Sequence, residues 1–197
     1  MAEFKSFLIR IITILNQVNL NYVVVGGVAA IIKGRMRSTT DVDIIVERDL
    51  DKVNQFFDLL AKDEFEVPRE QINYALKEGH HLSIFEKKSF MRLDLKIAKN
   101  TDEKEVIMQA TIVEYTGLNV RVASIEQILY GKILYSGSID DLSDKELLGF
   151  NDILDFLVLY NQNKSEIDHE WLTEKIRQKN LLRTYQRLIA FYLKESD

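Results

Sequence analysis

The chain has 197 residues, 46% apolar and 29% charged, with no cysteine, three histidines and a formal net charge of −5. That length buries a core without staples, and the composition is that of a globular chain rather than a disordered one. The missing cysteine excludes a disulfide framework, thiol catalysis and any thiolate-bound zinc or iron–sulfur site, and the few histidines leave little for an imidazole-rich one.

In chain order, Phe4, Phe7, Leu8, Ile11, Ile12, Leu15 and Val18 follow helical spacing and predict an amphipathic helix over 3–18. Lys5, Arg10, Thr13 and Asn16 interrupt its apolar character, so it does not read as a signal peptide. No apolar run in the chain approaches the ~20 residues of a membrane span. The expected compartment is the cytoplasm.

Tyr22-Val23-Val24-Val25 is a β-branched run closed by Gly26-Gly27, and a short helix follows over 28–33, ending at Gly34. A strand is predicted over 41–47, helices over 50–62 and 69–77, and strands over 81–86 and 90–97. A further strand pair, 111–115 and 119–122, flanks Thr116-Gly117-Leu118. Ser124 with Gln127 is a capping-box signature, and helical periodicity then runs with breaks to about 194. Strands first and helices last give an α+β class rather than a doubly wound sheet. The expected division is an α/β core over 1–122 and a helical region over 123–197.

Charge is uneven along the chain. Residues 1–170 hold 20 basic and 28 acidic side chains, whereas 171–194 hold six basic and one acidic. Lys175, Lys179, Arg183 and Arg187 recur every fourth residue, which on one continuous helix makes a basic stripe able to contact an RNA backbone. A solvated face is the plainer alternative, and Asn180 can break the helix and scatter the stripe. The adjacent pair His80-His81 points to opposite faces if extended and cannot chelate one ion together.

The chemistry concentrates in Gly26-Gly27 and in Arg37-Ser38-Thr39-Thr40-Asp41-Val42-Asp43. Residues i and i+2 of a strand share a face, so Asp41 and Asp43 stand side by side. Unpaired they repel, and a hard cation such as Mg²⁺ or Mn²⁺ between them relieves the repulsion. Asp94, in the strand-like Arg92-Leu93-Asp94-Leu95, supplies a third carboxylate if that strand neighbours 41–47. Three converging carboxylates suit a two-metal site. Two glycines between a strand and a helix let a phosphate approach bare backbone N–H groups. Each element taken singly has a plain reading, as a turn, an exposed strand end or an edge-strand charge.

Together these residues resemble the nucleotidyltransferase superfamily that includes DNA polymerase β, the kanamycin nucleotidyltransferases and the minimal nucleotidyltransferases. The finer likeness is to the AbiEii-like branch, in Gly-Gly followed by Arg-x-Thr-x-Asp-x-Asp, over about residues 20–97. The resemblance implies a mixed β-sheet core with helices and a C-terminal helical region. It implies metal-binding and catalytic roles for Asp41, Asp43 and Asp94, with Mg²⁺ or Mn²⁺ as cofactor. It implies nucleotide contacts by Gly26, Gly27, Arg37 and Thr39. Lys132 and Asp152 match the branch's lysine and aspartate early in its helical part, with Asp155 competing for the second place. The implied reaction moves a nucleoside monophosphate from an NTP to an acceptor hydroxyl on tRNA, protein or a small molecule. The branch further implies a toxin with an antitoxin partner. An inactive nucleotide-binding module and a metal-dependent phosphohydrolase remain the alternative readings.

Overall fold

Alternation of apolar and polar residues decides which face of a strand is buried, and the strands over 41–46 and 92–97 obey it within one seven-stranded sheet. The computed structural model describes residues 2–195, which divide into two compact units. The first unit comprises Met1–Ile32 and Arg37–Ala123; the second comprises Lys33–Met36 and the chain from Ser124 on.

The first unit contains α1 (Ala2–Gln17), β1 (Tyr22–Val25), α2 (Gly26–Ile32), β2 (Asp41–Val46), α3 (Leu50–Lys62) and β3 (Phe65–Glu66). It continues with α4 (Arg69–Glu78), β4 (Leu82–Glu86), β5 (Arg92–Ile97), α5 (Thr101–Met108), β6 (Thr111–Tyr115) and β7 (Leu118–Val122). The strand order is β3-β4-β5-β2-β1-β7-β6. The sheet is mixed: β2 runs parallel to β5 and β1 parallel to β7, and the other neighbours are antiparallel.

In β2, Val42, Ile44 and Val46 are buried, and in β5 so are Leu93, Leu95 and Ile97. Phe7, Leu8, Ile11, Ile12 and Leu15 of α1 and Val53, Phe56, Phe57 and Leu60 of α3 complete the core. Phe7 packs on Phe65 with ring centroids 5.7 Å apart. Asp49 caps α3 by accepting from the Lys52 N–H.

Two elements are additional to the sequence expectation. The two-residue β3 is too short to carry a period. The eight-residue α5 carries a signal that could have been read: Asn100 and Glu103 form a capping box. Glu103 is buried, ion-paired to Lys96 Nζ at 2.7 Å, and accepts the N–H groups of Lys99 and Asn100.

The second unit is helical: α6 (Ile125–Ser136), α7 (Asp144–Leu147), α8 (Asn151–Asn163), α9 (His169–Gln178) and α10 (Leu182–Glu195). Ser124 caps α6 by accepting from the Gln127 N–H. Leu129, Ile133, Ile153, Phe156, Leu159, Leu172, Ile176 and Leu188 form its core. Phe156 stacks on Tyr160 and meets Tyr185 edge-on.

The proposed basic stripe does not form on a continuous helix. Lys179 ends α9 and Asn180 takes a left-handed φ of 60° before α10 begins. Its residues turn to local partners instead. Lys175 lies over the Trp171 ring, Arg183 lies 3.7 Å from Asp140, and Arg187 donates to the Ile139 and Leu142 carbonyls. No described helix is long and apolar enough to cross a membrane.

Candidate active site

The parallel register of β2 with β5 is the organising fact. Asp41 lies opposite Arg92 and Asp43 opposite Asp94. Alternation keeps Val42 and Leu93 buried. Asp41, Asp43, Arg92 and Asp94 therefore share the other face of the sheet. The two aspartates of β2 and the one of β5, distant in sequence, become neighbours.

Each carboxylate has its own support. Asp41 accepts from the Thr40 hydroxyl at 3.0 Å and lies 3.1 Å from Arg92 Nη2. Asp94 accepts from Ser83 Oγ on β4 at 2.6 Å, and Arg92 Nε lies 2.9 Å from its other oxygen. Asp43 lies against Gly26, where an added Cβ would stand 2.7 Å from Asp43 Cγ. Gly26 has φ +63°, which favours glycine for a second reason.

Gly27 is crowded from the other side. A Cβ there would meet the Arg37 guanidinium, with Cζ at 3.3 Å, and Thr39 Oγ1 at 3.5 Å. Gly26 and Gly27 are themselves the first residues of α2, so the helix begins earlier than the expected 28. Thr39 Oγ1 accepts the Asp41 N–H and donates to the Asp41 carbonyl, both at 3.3 Å, pinning the start of β2. Gly26, Gly27, Arg37, Thr39, Asp41, Asp43 and Asp94 thus all stand in the first unit, with the glycine turn packed against Asp43 and Arg37.

Among the described residues no three His, Cys, Asp or Glu side chains converge as a ready-made metal cage. The geometry gives the reason: Arg92 bridges Asp41 and Asp94, and Asp43 is held against the glycine turn. The donor set still suits Mg²⁺ in kind, since that ion takes one or two carboxylates and completes its shell with water and phosphate oxygen. Elsewhere, His80 stacks on Tyr74 with centroids 5.1 Å apart.

Lys132 and Asp152 meet in the second unit. Lys132 Nζ lies 2.7 Å from Asp152 Oδ1 and also 2.7 Å from Asp155 Oδ2. Arg35 Nε lies 3.2 Å from Asp155 Oδ1. Asp155 is fully buried and Lys132 nearly so, and both carboxylates that competed for one place in the sequence reading pair with the same lysine. Sequence reasoning missed three members of these groups. Arg92 could have been found, because it stands two residues before Asp94 and so on the same face. Ser83 and Arg35 have no local signal; strand pairing and helix packing bring them in.

A model of the family described as "Nucleotidyltransferase of unknown function" (DUF6036) matches residues 6–85, which include the glycine turn, Asp41 and Asp43. That segment resembles the nucleotidyltransferases in sequence. The nucleotidyltransferase fold extends over both units. The crystal structure of ANT(2″)-Ia in complex with adenylyl-2″-tobramycin is similar at TM-score 0.62 and 18% identity, over 91% of this chain and 99% of that one. An antigenic nucleotidyltransferase-like protein from Paracoccidioides brasiliensis is similar at TM-score 0.54 and 19% identity, over 98% and 93% of the two chains. No curated protein matches the chain in sequence.

Proposed function

We propose that this nucleotidyltransferase moves a nucleoside monophosphate from an NTP to an acceptor hydroxyl, in the cytoplasm, with Asp41, Asp43 and Asp94 as its catalytic carboxylates. The observation that carries the reading is the register that sets Asp43 beside Asp94, with Gly26 packed on Asp43. The acceptor oxygen attacks the α-phosphorus, the bond to the β-phosphate oxygen breaks, and pyrophosphate leaves. Asp94, oriented by Ser83, takes the acceptor's proton. Gly26 and Gly27 let phosphate oxygens approach the backbone, and Arg37 offers a planar guanidinium to the same anion. Bound Mg²⁺ or Mn²⁺, held by Asp41, Asp43 and Asp94, would supply charge neutralisation at the reacting phosphate. Most of the rate would come from positioning and electrostatics rather than covalent chemistry.

For the acceptor, a small molecule bearing a hydroxyl is favoured. The likeness to ANT(2″)-Ia runs over 91% of this chain, and its bound product is adenylyl-2″-tobramycin. The stripe that would have favoured RNA is broken at Asn180. A toxin that modifies tRNA or protein, with an antitoxin partner, rests on the AbiEii-like motif alone. Lys132 and Asp152 retain their proposed nucleotide role on the same ground.

The test is incubation with each α-labelled NTP, Mg²⁺ or Mn²⁺, and cellular RNA, protein and small-molecule fractions. Label is expected on a small molecule and lost in Asp41→Asn/Asp43→Asn. Label on tRNA-sized RNA or protein would move the acceptor class. Free NMP without labelled acceptor would point to the phosphohydrolase. Nucleotide affinity equal in the folded double variant and the native protein, with no label anywhere, would refute the assignment.

A further inference from the structure

Arg92 owes its place among the aspartates to backbone register. It opens β5 directly opposite Asp41 and precedes Asp94 by one alternation. Its guanidinium lies between two carboxylates of different strands, 3.1 Å from Asp41 and 2.9 Å from Asp94. That is where a cation shared by those two side chains would sit. Three carboxylates on one sheet face repel, and one guanidinium neutralises part of the excess.

The grip is incomplete. Arg92 Nε is buried and makes no hydrogen bond of normal geometry, despite its 2.9 Å separation from Asp94. Its contacts with the two carboxylates come from different nitrogens, so neither is held by the two-pronged fork that makes arginine–carboxylate pairs strongest. The bridge balances charge without locking geometry.

We infer that Arg92 is the resident counter-cation of this face, and that a divalent ion binds Asp41 and Asp94 only by displacing it. The inference rests on the metal-carboxylate reading above and adds a control to it. Displacement strands a guanidinium unless another anion takes it, and an arriving triphosphate is such an anion. Metal and nucleotide therefore bind cooperatively, and Arg92 is the positioning residue that couples them.

The experiment is a Mn²⁺ titration of the full chain followed by electron paramagnetic resonance, with and without a non-hydrolysable NTP analogue. In the native protein the analogue should tighten Mn²⁺ binding. In Arg92→Gln, Mn²⁺ alone should bind about tenfold more tightly than in the native protein, within the usual range of site–site coupling, and the analogue's added effect should shrink. Without metal, Arg92→Gln should melt lower than the native protein, and Mn²⁺ should restore it. Mn²⁺ affinity equal to or weaker than native in folded Arg92→Gln would overturn the inference. A second readout needs no variant: the Arg92 Nε–H resonance of the native protein should shift when diamagnetic Mg²⁺ binds, and an unmoved resonance would overturn it equally. Asp41→Asn/Asp43→Asn separates the two claims. If that variant keeps Mn²⁺ binding in the presence of the analogue, the carboxylate assignment fails and Arg92 falls with it. If it loses binding while Arg92→Gln gains none, only the role of Arg92 fails.

Discussion

Lys132→Met removes a buried ammonium while keeping the length of its apolar stem. The lysine is 5% exposed and Asp155 0% exposed, and Nζ lies 2.7 Å from both Asp155 and Asp152. Breaking a buried pair by deleting one partner typically costs ~3–5 kcal/mol, because the remaining charge stays desolvated. Two features pull this case to the lower end. Arg35 remains 3.2 Å from Asp155, and Asp152, with a side chain 42% exposed, can turn to water. The expected loss is therefore about 3 kcal/mol, or about 6–12 °C in Tm for a chain of this size. Lys132→Met/Asp155→Leu removes the stranded charge as well, and should recover most of the loss. Thermal and urea denaturation followed by helical circular dichroism reads both. Lys132→Met within about 0.5 kcal/mol of native, outside the range for a broken buried pair, would refute the structural role assigned to the pair. A double variant as unstable as the sum of its singles would refute the mechanism.

Two further predictions follow from the first unit. Gly26→Ala forces a left-handed residue to carry a Cβ 2.7 Å from Asp43 Cγ. The conformation alone costs ~1–2 kcal/mol, and the displaced carboxylate should weaken Mg²⁺-dependent NTP binding beyond that loss; native nucleotide affinity in this variant would refute the packing argument. Burial alone would push the Glu103 carboxyl up, but Lys96 and the N–H groups of Lys99 and Asn100 outweigh it and hold it below its ordinary value. A depressed folded-state value means the stabilisation is present above the unfolded carboxylate's pKa, about 4.3, and is lost as pH falls through the folded one. The stability gap between native protein and Glu103→Gln should therefore be widest near neutrality and close under acid, as read by urea melts across pH; a gap that widens in acid would refute it.

The local elements were readable because their signals are local. The alternation in β2 and β5 and the amphipathic stripes of α1 and α3 repeat over a few residues, and burial follows those periods, while the β-branched run of β1 is a continuous apolar signal. The Ser124 cap was readable for the same reason. The α5 helix was overlooked although Asn100 and Glu103 announce its start, because its apolar face is short. The C-terminal stripe failed because one asparagine with positive φ divides what periodicity treats as continuous.

Motif spacing by itself determined that Asp41 and Asp43 share a face and that glycines stand where a strand meets a helix. It determined the superfamily resemblance, since those residue types at those intervals carry it. Tertiary structure alone decided the neighbours. Strand order put β5 beside β2, and register chose Asp94 for Asp43 and Arg92 for Asp41. A shift of one residue would have turned Asp94 into the core and Leu93 to the site. Helix packing likewise brought Arg35, Lys132, Asp152 and Asp155 into one ion-paired group. Alternation and capping are short-range steric and hydrogen-bonding rules written into consecutive residues. Register and packing are settled by burial summed over the whole core, so partners far apart in sequence meet only once the chain has folded.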